Sequence, residues 1–141
     1  MNSDQRIRVL YIEDNHDSFE MVKVMLGLAN IEVSAASSVG EAIARARAER
    51  FDLYLLDSGL PDGNGLSLCR TLRATFPSIP VVFYSGHARP EEIKMGMEAG
   101  AHGYIIKPHS DKLADTILRL LETQKENTSG RASLPVFTAV A

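Results

Sequence analysis

Cysteine is almost missing from this chain of 141 residues, with Cys69 the only one. A lone thiol cannot close an internal disulfide and suits a reducing compartment, so cytoplasm is the expected location. No apolar run approaches the roughly 20 residues that cross a bilayer. Residues 1–8 are polar and lack the apolar stretch of a secretory signal. No membrane role is expected. Basic runs are missing too: no stretch of Lys and Arg exceeds two residues, and the formal net charge is −3. Binding to a phosphate backbone needs a basic face, so direct nucleic-acid binding is not expected. None of the histidines has metal-ligand spacing with another. The glycine-rich stretch Gly59 to Gly65 lacks the GxxxxGK[ST] spacing of a P-loop and reads as a turn device.

A hydrophobic content of 45% and a charged content of 23% fit one globular domain with a real core. Strand and helix patterns alternate five times. Strands are predicted at 8–13, 31–35, 51–57, 80–85 and 103–107. Between them lie helical patterns at 15–29, 38–50, 65–75 and 90–100, and a last one from Ser110 to about Glu122. Phe19, Val22, Met25 and Leu26 share one helix face, as do Leu66, Cys69 and Leu72, and Leu113, Ile117, Leu120 and Leu121. Ser38 with Glu41 reads as a capping box, and Pro90 fits a first helical position with Glu91 and Glu92 behind it. Such alternation implies right-handed crossovers and a doubly wound parallel α/β sheet with helices on both faces.

The ends of the strands carry the chemistry. Glu13 and Asp14 close the first, Asp57 the third, Ser85 the fourth and Lys107 the fifth. In open α/β sheets, ligands bind outside the carboxyl ends of the strands. Three acids, a lysine and a hydroxyl gathered there suggest a divalent cation and a phosphoryl group. Taken singly, these residues have plainer readings: Asp57 as a turn cap, Glu13-Asp14 as a helix N-cap pair beside Asn15, Lys107 as a solvated strand end.

In that order and spacing the residues resemble the response regulator receiver domain of two-component signalling. The resemblance covers about residues 6–124 and rests on Glu13-Asp14, Asp57, the run Leu60-Pro61-Asp62-Gly63-Asn64-Gly65, Ser85-Gly86, Lys107-Pro108 and Tyr104. It implies a flavodoxin-like fold, five strands in the order 2-1-3-4-5. It also implies that Asp57 accepts a phosphoryl group from a histidine kinase or histidine phosphotransfer protein. Mg²⁺ would be held by Asp14 and Asp57 directly, by Glu13 through water and by the backbone carbonyl of Gly59. Lys107 would pair with Asp57 in an empty site and with a phosphoryl oxygen in a filled one, aimed by a cis bond to Pro108. Ser85 would bond the phosphoryl group, and Tyr104 would then rotate inward and alter the surface for a downstream protein. Gly59 and His87 are positioned to tune the lifetime of the acyl phosphate.

Residues 125–141 read as a flexible tail with no output domain, which makes the chain a stand-alone switch that changes its binding surface and acts only on its own phosphorylation. A phosphate sink, a relay intermediate or the N-terminal part of a longer regulator fits the same residues. A haloacid-dehalogenase-like phosphatase would need a second acid at position 59, where Gly59 stands. A flavodoxin would need a phosphate-cradling loop where Glu13 to Asp17 would repel one.

Overall fold

The computed structural model describes residues 6–86, 89–107, 110–127 and 137–139. Strands β1 (Ile7–Ile12), β2 (Ile31–Ala36), β3 (Leu53–Leu56), β4 (Val81–Ser85) and β5 (Gly103–Ile106) are all parallel, in the order 2-1-3-4-5. Helices α1 (His16–Gly27), α2 (Val39–Ala48), α3 (Gly65–Thr75), α4 (Pro90–Glu98) and α5 (Leu113–Asn127) alternate with them. This is the flavodoxin-like doubly wound fold that the alternation predicts. A sixth strand of the main sheet, β6 (Phe137–Ala139), lies parallel to β5 at the sheet edge, with Tyr104 opposite Thr138. A three-residue strand has no readable period, and an edge strand's unpaired amides and carbonyls offer it a ladder.

Successive strand side chains point to opposite faces, and both faces are covered. Leu10, Ile12, Tyr54, Leu56, Phe83 and Tyr104 pack under α2, α3 and α4. Val9, Tyr11, Leu53, Leu55, Tyr84 and Ile105 pack under α1 and α5. Burial on both sides is why the strands read as continuous apolar runs rather than alternating ones. Of the predicted helix stripes, Val22 and Leu26 of α1, Cys69 and Leu72 of α3, and Leu113, Ile117 and Leu120 of α5 are buried, while Phe19, Met25, Leu66 and Leu121 are half-buried and Leu68, outside the predicted stripe, is buried.

Helix ends differ from expectation in three places. Ser38 caps α2 by accepting from the Glu41 amide at 3.1 Å, but the Glu41 carboxylate reaches back to the amide and hydroxyl of Ser37. Ser110 opens a single 3₁₀ turn, Ser110–Lys112, ahead of α5 instead of starting that helix. α5 itself runs on to Asn127, because the polar residues after Glu122 break the apolar stripe without breaking helix propensity.

His102 is 5% exposed, and its Nδ1 accepts from the Val81 amide at 3.2 Å. Burial, reinforced by the charge of Arg73, pushes its pKa from 6.5 down to about 4. As the pH falls below 6.5, the unfolded chain takes up a proton that the folded one refuses, so stability drops until about pH 4 and then levels. The loss over that window should be about 3 kcal/mol. Urea unfolding of wild type and His102→Asn between pH 7 and pH 4 checks this. The variant keeps an acceptor for Val81 and should lose less; parallel curves would contradict it.

Candidate functional site

The site is built by continuing the ladder one residue past each strand. The amide of Glu13 donates to the Ala36 carbonyl at 2.9 Å, that of Asp57 to Ile12 at 3.0 Å, and that of Lys107 to Ser85 at 2.9 Å. Each charged residue is therefore fixed by the sheet while its side chain projects beyond the sheet's carboxyl edge.

Lys107 is held chiefly by Glu13. Its Nζ lies 2.7 Å from Glu13 Oε1 and 3.7 Å from Asp57 Oδ1. The pairing with Asp57 read from the sequence is thus the longer of two, because the more buried acid commands the ammonium. Glu13 also accepts from the Tyr11 hydroxyl at 3.0 Å and the Asn15 amide at 3.1 Å. Burial pushes the Glu13 carboxyl up, but Lys107, Asn15 and Tyr11 together outweigh it and hold it below the usual carboxylate range. Burial pulls Lys107 down, and the two acids more than reverse that. The same ammonium sits 5.5 Å over the Tyr84 ring. Glu13 and Asp14 do not cap α1; Asn15 does, accepting from the Ser18 amide at 2.8 Å.

Asp57 is partly buried at the rim. Burial raises its carboxyl above the ordinary value and Glu13 adds to the rise, while Lys107 and the amides of Ser58 and Gly59 oppose it. One oxygen each from Glu13, Asp14 and Asp57 lies within 4.8 Å of the others. Three carboxylates against one ammonium leave excess negative charge, and the donors are all hard oxygens. That donor set fits a small divalent cation. Gly59 is exposed, with open space around its Cβ direction.

On the far side of Asp57 the hydroxyls meet. Ser58 Oγ and Ser85 Oγ are 2.7 Å apart, and the Tyr104 hydroxyl bonds Ser85. Tyr104 is already turned inward, 2% exposed, its ring stacked on Phe83 at 5.4 Å and 26°. Gly96 of α4 makes room for it: a Cβ there would lie 3.1 Å from the Tyr104 ring. A cavity of about 460 Å³ opens between α3 and α4, lined in part by Ser58, Leu66, Phe83, Met95 and Tyr104.

The strand-end residues Glu13, Asp14, Asp57, Ser85 and Lys107 thus come together. His87, Pro108 and the cis bond expected at Pro108 lie outside the described residues. Two members of the site were missed in the sequence. Tyr11 stands two residues before Glu13 on one strand, so the two share a face, and that signal was legible. Ser58 meets Ser85 across 27 positions, which no local pattern reveals. Asp62 does a structural task, accepting from the Val39 and Gly40 amides at 2.7 and 3.0 Å and tying the Asp57 loop to the start of α2.

Comparison with known proteins assigns the family. The family profile of the response regulator receiver domain matches residues 9–118. The chain belongs to that family, whose members are signalling domains. It is 32% identical over 107 residues to the DNA-binding response regulator MtrA of Mycolicibacterium smegmatis, covering 76% of this chain and 46% of MtrA. It is 30% identical to the response regulator protein PilR of Pseudomonas aeruginosa, covering 86% of this chain and 28% of PilR. The chain therefore spans half or less of these relatives' length. Among solved structures, a CheY-like receiver domain protein from Methanospirillum hungatei superposes with a TM-score of 0.81 at 29% identity, covering 87% of this chain and 99% of that one. CheY4 of Vibrio cholerae superposes with a TM-score of 0.75 at 28% identity, covering 82% and 98%. No helix among the described residues is long and apolar enough to cross a membrane.

Proposed function

We propose that Asp57 is the phosphoacceptor of a two-component switch. The observation that carries this is the convergence of three carboxylates, Lys107 and Ser85 at one sheet edge. An Asp57 oxygen attacks the phosphorus of a phosphohistidine on a histidine kinase or phosphotransfer protein. The new O–P bond forms as the N–P bond breaks, and the imidazole leaves with its electron pair. Lys107 moves from its carboxylates toward a phosphoryl oxygen and balances the charge that builds there. Asp14 and Asp57 would hold Mg²⁺ directly, with the Gly59 carbonyl as a further ligand. Glu13, whose oxygens already serve Lys107, Tyr11 and Asn15, would act through water. The ion supplies charge neutralisation for the carboxylates and the incoming group.

Ser85 hydrogen-bonds the phosphoryl group and, through Tyr104, changes the surface formed by α4 and β5 that a downstream protein reads. Partial coverage of MtrA and PilR favours a second reading, in which these residues are the receiver part of a longer regulator. Amide spectra recorded with acetyl phosphate and Mg²⁺ test the switch. Shifts are expected to spread from Asp57 to Ser85, Tyr104 and α4 and to be absent in Asp57→Asn. Shifts confined to the acids would overturn the switch.

A further inference from the structure

Tyr11 stands on β1 two residues before Glu13 and is fully buried. Its hydroxyl donates to Glu13 Oε1 at 3.0 Å, the same oxygen that the Lys107 ammonium meets at 2.7 Å. The other oxygen, Oε2, accepts from the Asn15 amide at 3.1 Å. A phenol facing an ionised carboxylate can only donate to it. Phenol and ammonium therefore share one oxygen of an acid whose side chain is 3% exposed. A buried carboxylate that loses its cation is costly unless other donors stay on it. Lys107 also has a second acid within reach: Asp57 Oδ1 lies 3.7 Å from its Nζ.

We propose that Tyr11 is a positioning residue for phosphoryl uptake: its hydroxyl shares Glu13 Oε1 with Lys107 and so lets the ammonium leave Glu13 for the phosphoryl group. The inference rests on the reading of Asp57 as phosphoacceptor. Two effects act in the same direction. In the empty site, the phenol draws charge from Oε1 and weakens its hold on the ammonium. In the filled site, the phenol and the Asn15 amide stay on Glu13, so the buried charge keeps both donors after Lys107 has moved. Tyr11 thus acts through Glu13 and Lys107 and lowers the cost of moving the lysine.

The test uses the full chain at saturating Mg²⁺ with beryllofluoride, the phosphoryl mimic that activates the DrrB receiver domain. The amide resonances of Asp57 and Lys107 are followed against mimic concentration, at equal folded fraction judged by circular dichroism. Tyr11→Phe keeps the ring and removes only the hydroxyl. It should raise the half-saturating concentration by about tenfold, the low end for a hydrogen bond to a charged group, because the bond also stabilises the empty site. In a Glu13→Gln background the neutral amide holds the ammonium weakly, and Tyr11→Phe should move the midpoint by less than about twofold. A merely structural role for the hydroxyl predicts the same loss in both backgrounds. An unchanged or lowered midpoint in Tyr11→Phe overturns the proposal, and so does a tenfold loss that survives in Glu13→Gln. A wild type that does not respond to the mimic at all is a different result, which overturns the phosphoacceptor reading and the role of Tyr11 with it.

Discussion

Lys107→Ala is expected to slow phosphoryl uptake at Asp57 by about 10²–10³-fold, the usual cost of losing one group aimed at charge that develops in a transition state. The ammonium is anchored between Glu13 at 2.7 Å and Asp57 at 3.7 Å. Its loss also leaves the buried Glu13 carboxylate, with a side chain 3% exposed, without its cation. The Glu13 carboxyl is held below its usual range largely by Lys107, so in the variant it should titrate higher. Uptake is measured from a small phosphodonor with Mg²⁺ at equal folded fraction, judged by circular dichroism. A variant within threefold of wild type would remove Lys107 from the chemistry. Lys107→Arg keeps charge but not the compact ammonium that reaches two carboxylates, so rescue should be partial.

The second large effect concerns Gly65, the first residue of α3. A Cβ built there would lie 2.6 Å from the Asp57 carbonyl oxygen, 2.8 Å from the Phe83 ring and 3.1 Å from the Ser58 Cα. Two of those three atoms are backbone and cannot turn aside. The Gly65 amide is also bonded to the Ser58 carbonyl at 3.0 Å, closing the loop that carries Asp57. Helix propensity alone would make Gly→Ala worth a gain of about 1 kcal/mol. Here overpacking should reverse the sign and cost about 2–3 kcal/mol. Gly27→Ala is the control, since that glycine ends α1 with nothing within 4 Å of the new methyl group. Urea unfolding should show Gly65→Ala well below wild type and Gly27→Ala at or above it. Because the clash falls on Asp57 and Ser58, Gly65→Ala should also lose phosphoryl uptake while still folded. Equal stability of the two variants would contradict the close approach.

The sheet was legible because the central strands of the alternating pattern are apolar and buried and run into a polar or charged residue at the carboxyl edge. Leu53 to Leu56 can only be a core strand, and Asp57 must then emerge at the rim. The same logic placed Glu13, Ser85 and Lys107. What stayed hidden depends on distances between segments. Lys107 and Glu13 are 94 positions apart, and only their three-dimensional separation shows that Glu13, rather than Asp57, is the closer partner. Ser58 meets Ser85 only in three dimensions. Gly96 gives Tyr104 and Phe83 their space, a fit that only the packing of α4 on the sheet reveals. β6 has three residues and no apolar period, so its place beside β5 comes from the free edge and not from its own pattern.

The central claim is that this strand-end constellation takes a phosphoryl group onto Asp57. Intact mass after incubation with acetyl phosphate tests it most directly, with wild type and Asp57→Asn each measured with and without Mg²⁺. The account predicts a gain of one phosphoryl group in wild type with Mg²⁺, and none without the metal or without the Asp57 carboxylate. An equal gain in Asp57→Asn would move the chemistry to another residue. A folded wild type that binds Mg²⁺ and gains nothing would contradict the account.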